Sequence, residues 1–152
     1  MALVCAFTVY GAAQPQGSLT ADRRGRMRHS NHASLMAWRS DIRAAMQVHV
    51  PHIAHALFSG PLAVRIVFAI PKPPSVSRRR LFPTVAPDLD RLVRAVGDAL
   101  TQTVVRDDSQ IVHWDAWKVY TDGPAEARIE LWEPDAVVPL STVNPFQQQG
   151  LF

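Results

Sequence analysis

Asp88 and Asp90 stand at the start of a segment with helical periodicity, and the acidic pair Asp107-Asp108 follows just past its far end. Several carboxylates that a fold could gather, in a chain whose cations are almost all arginine, suggest a divalent metal working on a phosphodiester. A plainer explanation competes. Asp88 follows Pro87 and suits a helix N-cap, while Asp90 falls in the first turn, where the helix dipole favours a negative side chain. For those two residues alone, capping is the stronger explanation; Asp107-Asp108 shifts the balance toward an oxygen-ligated ion. With Asp88 extended and Asp90 helical, both carboxylates can point past the helix end, and a returning strand could set Asp108 beside them. Such a cluster repels itself unless a cation or nearby arginines neutralise it. Arg94, four residues after Asp90, either pairs with it along one helix face or holds a scissile phosphate and its transition-state charge. The spacing leaves both open.

Composition narrows the field. A chain of 152 residues with 47% apolar content can build one domain around a real core. The single cysteine, Cys5, has no internal disulfide partner, and no Cys/His cluster has zinc-ligand spacing, so a reducing compartment is expected and oxygen must hold any metal. His29, His32, His49, His52, His55 and His113 lack nearby acidic or thiol partners and are expected on the surface or in the core. The first residues carry no basic start or cleavage site and no apolar run is long enough to span a bilayer, which predicts a soluble cytoplasmic protein with no membrane contact. Net charge is only +3, against a pI of about 9.6. The placement of the arginines therefore matters more than their number.

Periodicity predicts the elements that must position these groups. Residues 2–10 suit an opening strand, and residues 11–31, with Arg23, Arg24, Arg26 and Arg28 and little apolar content, suit a mobile basic arm. Residues 34–58 repeat Leu35, Trp38, Ile42, Ala45, Met46 and Ile53 at helical spacing, kinked or split at Pro51. Residues 62–70 form a buried strand, and 71–87 a proline-rich loop carrying Arg78-Arg79-Arg80. From 88 to 102 a helix puts Leu89, Leu92, Val93, Val96 and Leu100 on a core stripe, with Asp90, Arg94 and Asp98 on the other face. Residues 111–120 and 127–132 are β-rich, and the turn residues at 121–124 suggest a hairpin. Packing is the first role expected for Trp114, Trp117 and Trp132, with base stacking as the other. The class is α+β, with a globular part over 1–133 and a flexible, proline-containing tail over 134–152.

The run from Asp88-Leu89-Asp90-Arg91 through Asp98-Ala99-Leu100, then Asp107-Asp108-Ser109-Gln110-Ile111 and Lys118, resembles the core of the RusA-type Holliday junction resolvases. That family shows Asp-Leu-Asp-Asn, a helix ending in Asp-Ala-Leu, Asp-Asp-x-Gln-Ile/Val, and a lysine in the next strand. The direct match covers about the central quarter of the chain, and the order of elements extends it. The resemblance implies a small mixed sheet packed on two main helices, a symmetric homodimer, and Mg²⁺-dependent cleavage of four-way and other branched DNA, with Mn²⁺ as a substitute ion. It implies a bacterial or phage-infected cell, and roles in recombination and repair. Position by position, it places the metal-binding carboxylates on Asp88, Asp90 and Asp108 and the catalytic cation on Arg94, with Asp107 in support. Two departures matter. Arg91 stands where asparagine is usual, and Arg94 where lysine is common; arginine keeps the charge but does not readily lose a proton, so an electrostatic role is expected.

On that basis the expected products carry a 5′-phosphate and a 3′-hydroxyl, and Lys118 assists at the site if its side chain turns inward, its alternative being a surface lysine. Arg23, Arg24, Arg26, Arg28, Arg78, Arg79, Arg80 and Arg91 would meet backbone phosphates, or else lie in solvated loops. The terminal Gln148-Gln149-Gly150-Leu151-Phe152 resembles the short peptide by which bacterial replication proteins dock on the sliding clamp, with Gln148, Leu151 and Phe152 as its contacts. The competing readings are a nuclease for forks or other branched DNA, and a non-catalytic DNA-binding accessory protein docked on the clamp.

Overall fold

The computed structural model describes residues 1–49 and 57–135. In chain order it has β1 (Ala2–Tyr10), β2 (Leu19–Ala21), β3 (Met27–His29), α1 (His32–His49), β4 (Leu62–Pro71), α2 (Leu89–Leu100), a 3-10 turn (Asp108–Gln110), β5 (Ile111–Thr121) and β6 (Glu126–Glu133). The long strands form one mixed sheet in the order β1-β6-β4-β5. β6 is antiparallel to both its neighbours, and β5 lies parallel to β4. The expected α+β class, a small mixed sheet with two main helices, is what the chain adopts.

One face of the sheet carries the core. Alternate residues of β4, Leu62, Val64, Ile66 and Phe68, are essentially fully buried with Phe7 and Val9 of β1 and Ile129 and Leu131 of β6. They meet Leu35, Trp38, Ile42 and Met46 of α1 and Leu92, Ala95, Val96, Ala99 and Leu100 of α2 in one cluster. The α2 set falls at i, i+3, i+4, i+7 and i+8, the stripe a straight helix turns toward a core. Each fully buried Leu or Val there contributes roughly 1.5–3 kcal/mol, so α2 is held as a rigid rod and its outer face is positioned with it.

A polar contact joins the two helices. The Arg39 guanidinium pairs with Asp98, and Arg39 also donates to Gln16 Oε1 at 2.6 Å. Asp98, expected on the chemical face of α2, is thereby a structural residue. Its side chain is 31% exposed and that of Arg39 only 14%, so Asp98→Asn leaves a poorly solvated cation. The expected loss is about 1–3 kcal/mol, measured as the shift in urea unfolding; a loss below about 0.5 kcal/mol would show that the pair is idle.

Two expectations need correction. β5 and β6 do not form a hairpin, because β4 lies between them. The crossover through α2 sets β5 on one edge of β4 and leaves the other edge to β6, so the turn steps across the end of β4, where Lys72 N donates to Thr121 O at 3.0 Å. The segment 11–31, expected as a mobile arm, contains the β2–β3 hairpin. Asp22 accepts from the backbone of Arg24 and Arg26 at 2.8 and 2.9 Å, and Gly25 takes the left-handed φ of +73° that the turn needs. Turn chemistry holds this piece without apolar burial. Asn31 Nδ2 to Pro15 O, 2.8 Å, and Gln16 N to Arg91 O, 3.0 Å, tie its base to the body. The predicted helix is present as α1, which begins at His32 and is described to His49; the expected kink at Pro51, with His52, Ile53 and His55, lies outside the described residues, as does the tail beyond residue 135.

Candidate active site at the mouth of α2

Asp88 occupies the N-cap position of α2 in an extended conformation, φ −69° and ψ 136°, yet its side chain makes no capping hydrogen bond. Capping therefore does not account for its carboxylate. It pairs with Arg91, with Nε 3.7 Å from Oδ2, both side chains well exposed; such a pair is worth about 0–1 kcal/mol. Asp90 and Arg94 are exposed one turn apart on the same face, and among the described residues no ion pair joins them. Of the two explanations for Arg94, pairing with Asp90 is thus absent.

Asp107 has the opposite fate. Its side chain accepts from Ser109 N at 2.9 Å, and with Gln110 it forms a reciprocal capping box around the 3-10 turn. Those hydrogen bonds hold the Asp107 carboxyl below its ordinary pKa. Gln110 does more than cap. Its Oε1 accepts from Arg106 N at 2.9 Å, and its Nε2 donates to Phe58 O at 3.0 Å and Gly60 O at 3.1 Å. The turn is therefore pinned to the chain entering β4. The next carboxylate, Asp108, is exposed, with Oδ2 lying 3.9 Å from where a side chain on Gly97 would begin.

Asp90, Arg94 and Gly97 follow one another at i, i+4 and i+7, a single stripe along α2. Asp88 and Asp90 thus sit at one end of that stripe, Asp108 beside its other end, and Arg94 between. Seven residues of helix span about 10 Å. In agreement, no three His, Cys, Asp or Glu side chains among the described residues lie close enough to hold a metal ion. The donors nevertheless suit a hard cation. Among the described residues no structural hydrogen bond occupies these carboxylates, and magnesium is commonly held by one or two such groups with phosphate and water completing its shell.

Lys118 neither projects into solvent nor reaches these carboxylates. Its Nζ donates to Val85 O at 2.7 Å and to Pro87 O at 2.9 Å, clamping the backbone just before Asp88. Tyr120 N adds a hydrogen bond to Leu81 O at 2.8 Å. The proline-rich loop, expected to be irregular, is irregular but fastened along the outer edge of β5. Arg78, Arg79 and Arg80 are exposed on it, as are Arg23, Arg24 and Arg26 on the β2–β3 hairpin. The Arg28 side chain, and Gln148, Leu151 and Phe152, lie outside what is described. Sequence reasoning missed Gln110 and the backbone clamp by Lys118. The first was legible as Asp-x-x-Gln, a capping-box pattern; the second had no local signal, since its partners lie 33 and 31 residues away.

The second helix of this mixed-sheet fold thus has exposed carboxylates at the two ends of one outer stripe, with Arg94 between them and further exposed arginines on two loops. The family model described as Endodeoxyribonuclease RusA matches residues 12–131. The chain belongs to the RusA endodeoxyribonuclease family, a family of junction-resolving nucleases. It is also 30% identical over 132 residues to the uncharacterized protein YqaN of Bacillus subtilis strain 168, covering 78% of this chain and 89% of that protein. Among the described residues no helix is long and apolar enough to cross a membrane.

Proposed function

We propose that this chain is a Mg²⁺-dependent, structure-selective endodeoxyribonuclease that resolves four-way junctions during recombination and repair. The observation that carries the reading is the division of labour among the aspartates. Asp107 is consumed by a cap, whereas Asp88, in the N-cap position, and Asp108, beside the cap, keep their carboxylates out of the local hydrogen-bonding.

Asp88 and Asp90 would hold one ion at the mouth of α2, and Asp108, toward the other end of the stripe, would serve as ligand to a second, with substrate phosphate between the two. A bound Mg²⁺, or Mn²⁺ in its place, would supply positive charge at the reacting phosphate and acidify the attacking water. Arg94, midway along the stripe and without an ion pair among the described residues, would neutralise charge on the phosphoryl oxygens without exchanging a proton. Cleavage in this sense leaves a 5′-phosphate and a 3′-hydroxyl. Arg91 and the exposed arginines of the two loops would grip the DNA backbone, giving a strongly salt-dependent affinity. A two-fold homodimer would present two such sites to opposed strands of a junction, and the terminal Gln148, Leu151 and Phe152 would tether it to a sliding clamp.

The deciding measurement is cleavage of synthetic four-way junction, fork and linear duplex by the purified chain, with Mg²⁺ and with a chelator. Junction cutting that needs the metal and exceeds duplex cutting by about 10²-fold or more is expected; fork preference would move the assignment to the rival nuclease. Undiminished cutting in chelator, or binding without cutting in Mg²⁺ or Mn²⁺, would reject the reading.

A further inference from the structure

Four large apolar side chains stand exposed along the outer edge of β5: Leu81 at 63%, Phe82 at 48%, Val85 at 62% and Trp117 at 46%. Scattered exposed hydrophobes are ordinary, but Phe82 and Trp117 are paired and held. The Phe82 and Trp117 rings lie 6.1 Å apart at 38°. Trp117 Nε1 donates to Asp115 Oδ1 at 2.8 Å, and Arg65 Nε holds the other oxygen of that carboxylate at 2.7 Å, so the indole has a set orientation. The loop side is set by main-chain bonds: Tyr120 N to Leu81 O, and Lys118 Nζ to Val85 O and Pro87 O. Pro83 is buried between them. Phe82 and Val85 are thus presented outward by a framework that does not need their side chains.

We propose that Phe82 and Trp117 form a stacking platform for an unpaired or unstacked base at the branch point of the DNA. The charge around the rings selects this occupant. Arg78, Arg79 and Arg80 immediately precede Leu81 and are exposed, and Lys72 Nζ, bound to Arg78 O at 3.0 Å, lies on the same loop. A second copy docked on this patch about a two-fold axis would bring one arginine run against the other. A polyanion with exposed π-faces satisfies both the cations and the rings. Linear duplex keeps its bases stacked, and taking one out costs least where it is already unpaired. The platform therefore discriminates branched from linear DNA, while the arginines bind both. The inference rests on the proposed DNA-cleaving function and adds the element that reads the branch.

The test uses the full chain with Ca²⁺ replacing Mg²⁺ to hold back cleavage. Its substrates are a four-way junction with 2-aminopurine at the branch and a linear duplex carrying the same base internally. Wild type should quench the junction probe on binding. Phe82→Ala and Trp117→Ala should each weaken junction binding by about 5- to 100-fold, the range of one base–ring contact, and abolish the quench. Duplex affinity should change by less than about twofold, and Phe82→Trp and Trp117→Phe should restore junction binding. Equal losses on junction and duplex, or no loss on either, would overturn the platform while leaving the nuclease reading standing. A wild-type dimer that becomes monomeric in Phe82→Ala would overturn it in favour of a subunit interface. Failure of wild type to bind branched DNA would remove the nuclease reading and the platform together.

Discussion

Asp90→Asn is expected to slow junction cleavage by at least about 10³-fold while junction binding stays as tight or becomes tighter. The side chain is exposed in the first turn of α2, so the fold loses little beyond a dipole interaction of about 0.3–1 kcal/mol. The substitution keeps shape and removes charge. If Asp90 helps hold the ion, the several kcal/mol of transition-state stabilisation supplied there is lost, and each 1.36 kcal/mol is about a factor of ten in rate. Removing a negative charge beside an arriving phosphate should not weaken DNA binding. Single-turnover cleavage and equilibrium binding on the same junction measure both sides. Cleavage within about fivefold of wild type would reject Asp90 as a ligand.

The second large effect is expected from Lys118→Met, through position rather than chemistry. Lys118 Nζ bonds two carbonyls, one of them on Pro87, the residue before Asp88. Hydrogen bonds from a charged group contribute about 1.5–3 kcal/mol each, and methionine removes both while keeping the aliphatic stem. The backbone leading into Asp88 then loses its clamp. A displacement of about 1 Å at a reacting centre can cost about 10²-fold, so the cleavage rate should fall by about 10- to 100-fold. The pH–rate profile separates this from an acid–base role: a positioning lysine lowers the whole curve, whereas a proton donor would take one limb with it. Lys118→Arg should recover part of the rate. A variant that cleaves like wild type would show that the clamp is dispensable.

Asp107 and Asp108 show how far neighbouring residues of one type can differ. They are identical in composition, yet Asp107 closes a capping box with Gln110 and Asp108 is left free beside Gly97. The Asp-x-x-Gln pattern carried that distinction in the sequence. The Asp98–Arg39 pair did not announce itself, because its partners lie 59 residues apart. Trp114 and Trp117 divide similarly. They share one strand, but Trp114 packs on the core and Trp117 is exposed beside Phe82.

Local physics was therefore readable from the residues alone. The α2 stripe, the alternation of β4, the irregular proline loop and the carboxylates flanking a helix follow from periods of 3.6 and 2 and from backbone restrictions, none of which needs a distant partner. The resemblance of the Asp-Leu-Asp and Asp-Asp-Ser-Gln segments to a known family was equally local. Tertiary structure alone decided strand neighbours, the use of Lys118 and Asp98, and the separation of Asp108 from Asp88 and Asp90 along α2. Alternation tells which face a residue takes, but not which strand lies beside it. That depends on crossover connections and on hydrogen bonds between residues dozens of positions apart. The carboxylates were visible as letters; which were already occupied became visible only once the chain had folded around them.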